Sequence, residues 1–149
     1  MSEGQWPLDQ TVPADNGGPG GSTDEPQLYF ANVDEFVRDF LRNMYRRRID
    51  GRHRCWAARW WEYEEAVARL EALWRAWEYL RLDPATGMST WWRDHADYHM
   101  AVLMDPDGPF AAAAQGEENL SKKGDPLPYV APPAGMFDDE RVNPGGLND

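Results

Sequence analysis

The chain has 149 residues, room for one ordinary domain, and a formal net charge of −11. Its single cysteine, Cys55, excludes an internal disulfide. No run of about eighteen apolar residues and no basic-then-apolar leader pattern is present, so the expectation is a soluble cytoplasmic protein that does not enter a membrane.

Composition divides the chain into three. Residues 1–26 are rich in Gly, Pro, Asp and Ser and carry −5. Residues 114–149 repeat that character and carry −4. Neither stretch holds enough apolar surface to offset the entropy of ordering it, which predicts disordered acidic tails at 1–26 and 114–149. The foldable part is 27–113, a Trp-rich helical domain. A chain of that size buries roughly 60–65% of its unfolded surface, and large aromatics raise the yield.

The first apolar patch is Leu28-Tyr29-Phe30. Asn32 and Glu35 then suit a capping box, with Phe30 or Ala31 stapled onto Phe36 or Val37. A first helix over 33–48 follows, with Val33, Phe36, Val37, Phe40, Leu41, Met44 and Tyr45 on one face. Asp50-Gly51 ends it. The longest periodic stretch comes next and predicts a helix over 59–82. Trp60, Tyr63, Val67, Leu70, Trp74, Trp77 and Arg81 form a 3-4 seam flanked by Ala66, Leu73 and Leu80. The solvated face is assigned Glu62, Glu65, Arg69, Glu71, Arg75 and Glu78. After the turn Asp83–Gly87, Ser89 is expected to cap a third helix over 90–104, with Trp91, Trp92, His95, Tyr98, His99, Val102 and Leu103 on one broad face. Phe110 is expected to pin the closing turn. No strand pattern or repeat appears. The fold class is all-α: a small three-helix domain, antiparallel and up-down-up, between disordered tails.

The residues Cys55-Trp56, Arg59-Trp60-Trp61-Glu62, Glu65 through Glu78, Met88, Trp91 through His99, Leu103 and Gly108-Pro109-Phe110 resemble an uncharacterised domain family. That family is found mainly in actinobacteria and in plasmids, phages and integrative elements. The resemblance covers about 29–110 and implies a mobile-element association but no assigned activity. The chain departs from the family where Tyr63 stands for a His and where alanines follow Phe110. A shared Cys/His metal site would be weakened by those changes.

Four constellations are candidates for function. His95 and His99 stand at i,i+4 and could grip a metal, with Asp94, Asp97, His53 or Cys55 adding ligands. Ala96 occupies the place of the glutamate that a hydrolytic zinc helix needs, so core packing is the expected role and no metal or cofactor is assigned. Cys55 beside Trp56 reads as a buried, inert thiol rather than a nucleophile. Arg42, Arg46, Arg47, Arg48, Arg52, Arg54 and Arg59, opposed only by Asp50, form a basic cluster that could fork phosphates. Seven tryptophans exceed what a core of this size encloses, so Trp61 and one of Trp91 or Trp92 are expected at the surface. A non-catalytic adaptor is therefore expected. Trp61, Trp91 and Trp92 would anchor a protein partner or a second copy, rimmed by Arg46, Arg47, Arg48 and Arg52. The alternatives are a nucleic-acid-binding accessory protein using the arginines, and a metal-binding helical protein. No small-molecule substrate is evident.

Overall fold

A computed structural model describes residues 26–141 of the chain. Within them the fold is mostly helical, with three helices and no strand. Residues 1–25 and 142–149 lie outside the described part, and with them most of the expected N-terminal tail.

Helix α1 spans residues 33–44 as a helical turn Val33–Phe36, a π-helical stretch Val37–Leu41 and a last turn Arg42–Met44. Its start is as expected. The Asn32 side chain accepts from the Glu35 N–H at 2.9 Å, and the Phe30 ring meets Phe36 edge-on at 5.7 Å. The Glu35 carboxylate reaches back to the Ala31 N–H rather than to that of Asn32. The helix stops four residues short of the expected 48. Tyr45 turns inward and is buried, and Arg46–Arg48 run on to an antiparallel bridge between Ile49 and Ser121.

The Asp50–Arg54 turn is wound around one carboxylate. Asp50 Oδ1 accepts from the N–H groups of Arg52 at 2.9 Å and His53 at 2.8 Å. Gly51 sits at φ +77°, where a Cβ would lie 2.4 Å from the Ala114 carbonyl oxygen. Only glycine suits that combination.

Helix α2, Glu64–Leu80, is shorter than the expected 59–82, because Trp60–Glu62 form a separate 3-10 turn and Tyr63 is extended. Its buried face is Ala66, Leu70, Leu73, Trp74, Trp77 and Glu78. The seam is thus rotated away from Tyr63 and Val67, which are only half-buried. Glu78, assigned by pattern to the solvated face, is 7% exposed. Its carboxylate accepts from the N–H groups of Tyr29 and Phe30, each at 2.9 Å, from Trp74 Nε1 at 2.9 Å and from Arg81 Nε at 3.1 Å. A buried charge persists when such donors surround it.

Helix α3 spans residues 87–104 and packs, like α1, against α2. It begins at Gly87, not after Ser89, because Gly87 is where the helix start meets the end of α2; a Cβ there would fall 1.8 Å from the Leu80 oxygen. Its middle, Trp91–Ala96, is π-helical. That wider turn brings Trp91, Ala96, Met100, Leu103 and Met104 inward and leaves Tyr98, expected on the inner face, exposed.

The largest correction concerns the expected C-terminal tail. Residues 114–141 are a strap packed across α1 and the link before α2. Leu127 is fully buried, and its N–H donates to the Arg42 oxygen at 3.1 Å while Arg42 Nε donates back to the Leu127 oxygen at 2.9 Å. Asn119 is buried and accepts from the Ala58 N–H at 2.7 Å. Glu140 N–H closes the strap on the Ala31 oxygen at 2.8 Å. The strap also covers two of the tryptophans. Trp56, Trp60, Trp74 and Trp91 are fully enclosed, the first two beneath Pro128 and Phe137 of the strap and the other two among the helices.

Candidate functional site

The basic cluster lies where α1 ends. Arg46, Arg48 and Arg52 are exposed and Arg47 and Arg54 are half-buried. Arg46 spans from the Asn43 oxygen at 2.9 Å to the Gly124 oxygen at 2.7 Å. Arg48 faces Asp50 at 3.6 Å. The Arg52 side chain makes no hydrogen bond or ion pair with the described residues. Arg42 and Arg59 are committed elsewhere, to the Leu127 oxygen and to Glu118 at 3.1 Å.

The strap adds to this face. The paired bonds between Ile49 and Ser121, at 3.0 and 3.1 Å, fix Lys122 and Lys123 alongside Arg46–Arg48. These are the only lysines of the chain, and both are exposed. Charge-based reading placed them in a tail. A Lys-Lys pair interrupting acidic sequence was the available signal, but only the bridge to Ile49 gives it a location. Asp50 offsets one charge of the patch, that of Arg48, and no more. The His53 ring at 2.7 Å and the Arg52 and His53 N–H groups hold its carboxyl well below the usual range, so it is spent on the turn.

One of the expected aromatic anchors joins the arginines. The Arg47 guanidinium lies over the Tyr45 ring at 4.1 Å, Tyr45 stacks on Trp92 at 6.0 Å and 21°, and Trp92 meets Trp91 edge-on at 4.9 Å. The ladder runs from a surface cation to the core. Beside it is a cleft of about 310 Å³ lined by residues including Arg47, His53, Arg54 and Asp105. Trp91 is fully buried, with Nε1 donating to the Leu73 oxygen at 3.0 Å, and cannot anchor a partner. Trp61 is half-buried on another part of the surface, its Nε1 donating to the Val130 oxygen at 2.9 Å. The three tryptophans therefore do not form one surface with the four arginines.

The histidines and Cys55 are not gathered either. His99 faces Arg69 at 3.0 Å, and burial, then Arg69 and His95, push its pKa down. Cys55 is buried 3.7 Å from the Gly51 oxygen, and burial with the nearby acids Asp50, Asp105 and Asp107 raises its thiol pKa. Among the described residues no three His, Cys, Asp or Glu side chains are grouped to hold a metal ion. No described helix is long and apolar enough to cross a membrane.

No curated protein and no solved structure matches the chain. A domain of unknown function, DUF4913, matches residues 30–133, which takes in both the helices and most of the strap. The chain belongs to the DUF4913 family.

Proposed function

We propose that the protein is a non-catalytic binding module whose basic face takes a polyanion, with the phosphate backbone of a nucleic acid as the partner. The observation that carries this reading is the strap placing Lys122 and Lys123 beside Arg46, Arg47 and Arg48 on a chain whose overall charge is −11. Such a cluster against so acidic a background favours an anionic partner. Arginine forks and exposed lysines together supply phosphate contacts without base reading. The mobile-element setting implied by the family resemblance is in keeping with such a partner. Tyr45 is buried and Trp92 half-buried, so the face lacks free rings on which bases could stack. Backbone contact is the mode proposed.

The test is fluorescence anisotropy of labelled duplex and single-stranded DNA and RNA across salt concentrations. With about five phosphates neutralised, the log–log salt slope should be roughly −4, and affinity should fall on the order of a hundredfold between 50 and 200 mM salt. Arg46→Glu with Lys122→Glu should abolish binding while thermal unfolding stays within a few degrees of the parent. Absence of binding at 20 mM salt would sink the proposal. Equal affinity for polyglutamate would reassign the partner to an acidic protein.

A further inference from the structure

Trp56 and Trp61 meet one proline-rich stretch of the strap without helix or strand, Pro126-Leu127-Pro128-Tyr129-Val130-Ala131-Pro132-Pro133, with Trp60 completing their row. Trp56 Nε1 donates to the Pro128 oxygen at 3.1 Å, and Trp61 Nε1 to the Val130 oxygen at 2.9 Å. Beyond this stretch Phe137 stacks on Trp60 at 5.6 Å and 21°. The Tyr129 hydroxyl donates to Asp34 at 2.6 Å, and its ring carries the Arg42 guanidinium at 5.4 Å. Two backbone N–H groups of the stretch, those of Leu127 and Val130, are tied to the domain, to the Arg42 and Ala58 oxygens.

This is the chemistry by which aromatic grooves read extended proline-rich segments. Such a segment has no internal hydrogen bonds, so its carbonyls stay free for indole N–H donors, and its rings and apolar side chains lie flat on aromatic faces. We infer that the Trp56–Trp60–Trp61 row is a recognition groove for an extended proline-rich segment, occupied in this chain by its own strap and able to take a partner protein's segment of the form apolar-Pro-Tyr-apolar in its place.

Two features favour exchange over permanent closure. Trp60 is fully buried, yet its Nε1 has no hydrogen-bond partner, so the strap leaves one donor of the row unsatisfied. A segment that brings a carbonyl to this indole satisfies a donor that the strap leaves unpaired. The strap also leaves the basic face through an exposed turn, Lys122–Asp125, where Gly124 has φ +90° and a Cβ would meet nothing within 4 Å. Outside its own Lys122–Asp125 bonds the turn is held by Arg46 on the Gly124 oxygen at 2.7 Å, an exposed contact that releases the strap when it breaks. The inference is independent of the basic face.

The test uses the full chain with a protease site inserted between Lys123 and Gly124, and a fluorescent synthetic peptide of residues 125–138. After cleavage the protein should keep its helical circular dichroism, and the labelled peptide should exchange in with a saturable rise in anisotropy. Replacing the peptide's four prolines with alanine should weaken it at least tenfold. Trp61→Phe in the cleaved protein should weaken it about fivefold, the equivalent of one neutral hydrogen bond. Loss of helical signal on cleavage would show that the strap is part of the core and overturn the proposal. Failure of excess peptide to exchange, or equal binding by the proline-free peptide, would do the same. A concentration-dependent dimer of uncut protein that excess peptide dissolves would make a second copy the occupant and overturn the assignment to a foreign partner.

Discussion

Glu78→Gln is the most discriminating substitution in this fold. Sequence periodicity puts residue 78 on the solvated face of α2, where the change would be nearly neutral, within about 0.5 kcal/mol. The structure gives it a different weight. Oε2 accepts from the Phe30 N–H at 2.9 Å and from Trp74 Nε1 at 2.9 Å, and Oε1 from the Tyr29 N–H at 2.9 Å and Arg81 Nε at 3.1 Å. All four partners are donors. Glutamine must place an NH₂ group where one oxygen stood: at Oε2 it strips Phe30 and Trp74 of their acceptor, and at Oε1 it strips Arg81 and leaves Tyr29 only its longer bond of 3.1 Å to the other oxygen, while every bond that survives loses its charge. Hydrogen bonds to a charged group are worth roughly 1.5–3 kcal/mol each, and part of that returns through water at the half-buried Arg81 side. The expected destabilisation is about 2–4 kcal/mol, or on the order of 8–15 °C in melting temperature for a domain of this size. Urea unfolding followed by tryptophan fluorescence and by circular dichroism measures it. A midpoint within 0.5 kcal/mol of the parent would refute the buried-acceptor account and restore the solvated face.

Other positions give narrower tests. Gly51→Ala forces a side chain into φ +77° and into the Ala114 carbonyl, and should cost about 2–3 kcal/mol by calorimetry. Leu127→Ala empties a fully buried site beneath the strap and should cost about 3 kcal/mol; a residue in a loose tail would cost nothing. The pKa of His99 is lowered in the folded state, so the unfolded chain binds its proton first as pH falls. Stability should therefore decline as pH drops below the ordinary histidine value of about 6.5. His99→Gln should flatten that decline in melts run at pH 7.5 and 5.5.

What periodicity and capping rules reach is local. Asn32 caps α1 and Phe30 staples onto Phe36 because those contacts span a few residues. Glu65 and Arg69 pair at 2.9 Å for the same reason. Most of the failures come from partners far away in sequence, and one from a local change of helical pitch. Glu78 is buried because Tyr29 and Phe30, 49 and 48 residues earlier, bring it N–H groups. Trp91 is buried, and Tyr98 exposed, because a π-helical turn shifts the 3.6-residue phase, and pattern alone carries no mark of that turn. The strap escaped notice because it holds itself down through carbonyls accepting from Trp56 and Trp61, and such anchoring leaves no hydrophobic run to read. The candidate site was legible in its arginines and not in its lysines, which only the Ile49–Ser121 bridge connects to them.

The strap also joins the two proposed surfaces physically. Lys122 and Lys123 follow directly on the bridge to Ile49, and Pro128 and Val130, which accept from the tryptophan row, come a few residues later. The exposed turn around Gly124 lies between them. If a partner's segment lifts residues 126–137 from the row, the Leu127 anchor beside Arg42 goes with them, and the lysines are held against Arg46–Arg48 only by the contacts of Ser121 with Ile49 and Arg47 and by Arg46 on the Gly124 oxygen. Loss of both lysines from the face would remove about two phosphate contacts, flattening the salt slope by roughly 1.8 and weakening polyanion binding at low salt. Linkage makes the effect reciprocal: a bound polyanion that clamps Lys122 and Lys123 would resist the peptide by the same factor. Measuring the salt slope of the uncut protein with and without peptide 125–138 in excess decides this, because there the lysines and the strap are one continuous chain, the peptide lacks both lysines, and a slope unchanged by it would show the two faces to be uncoupled.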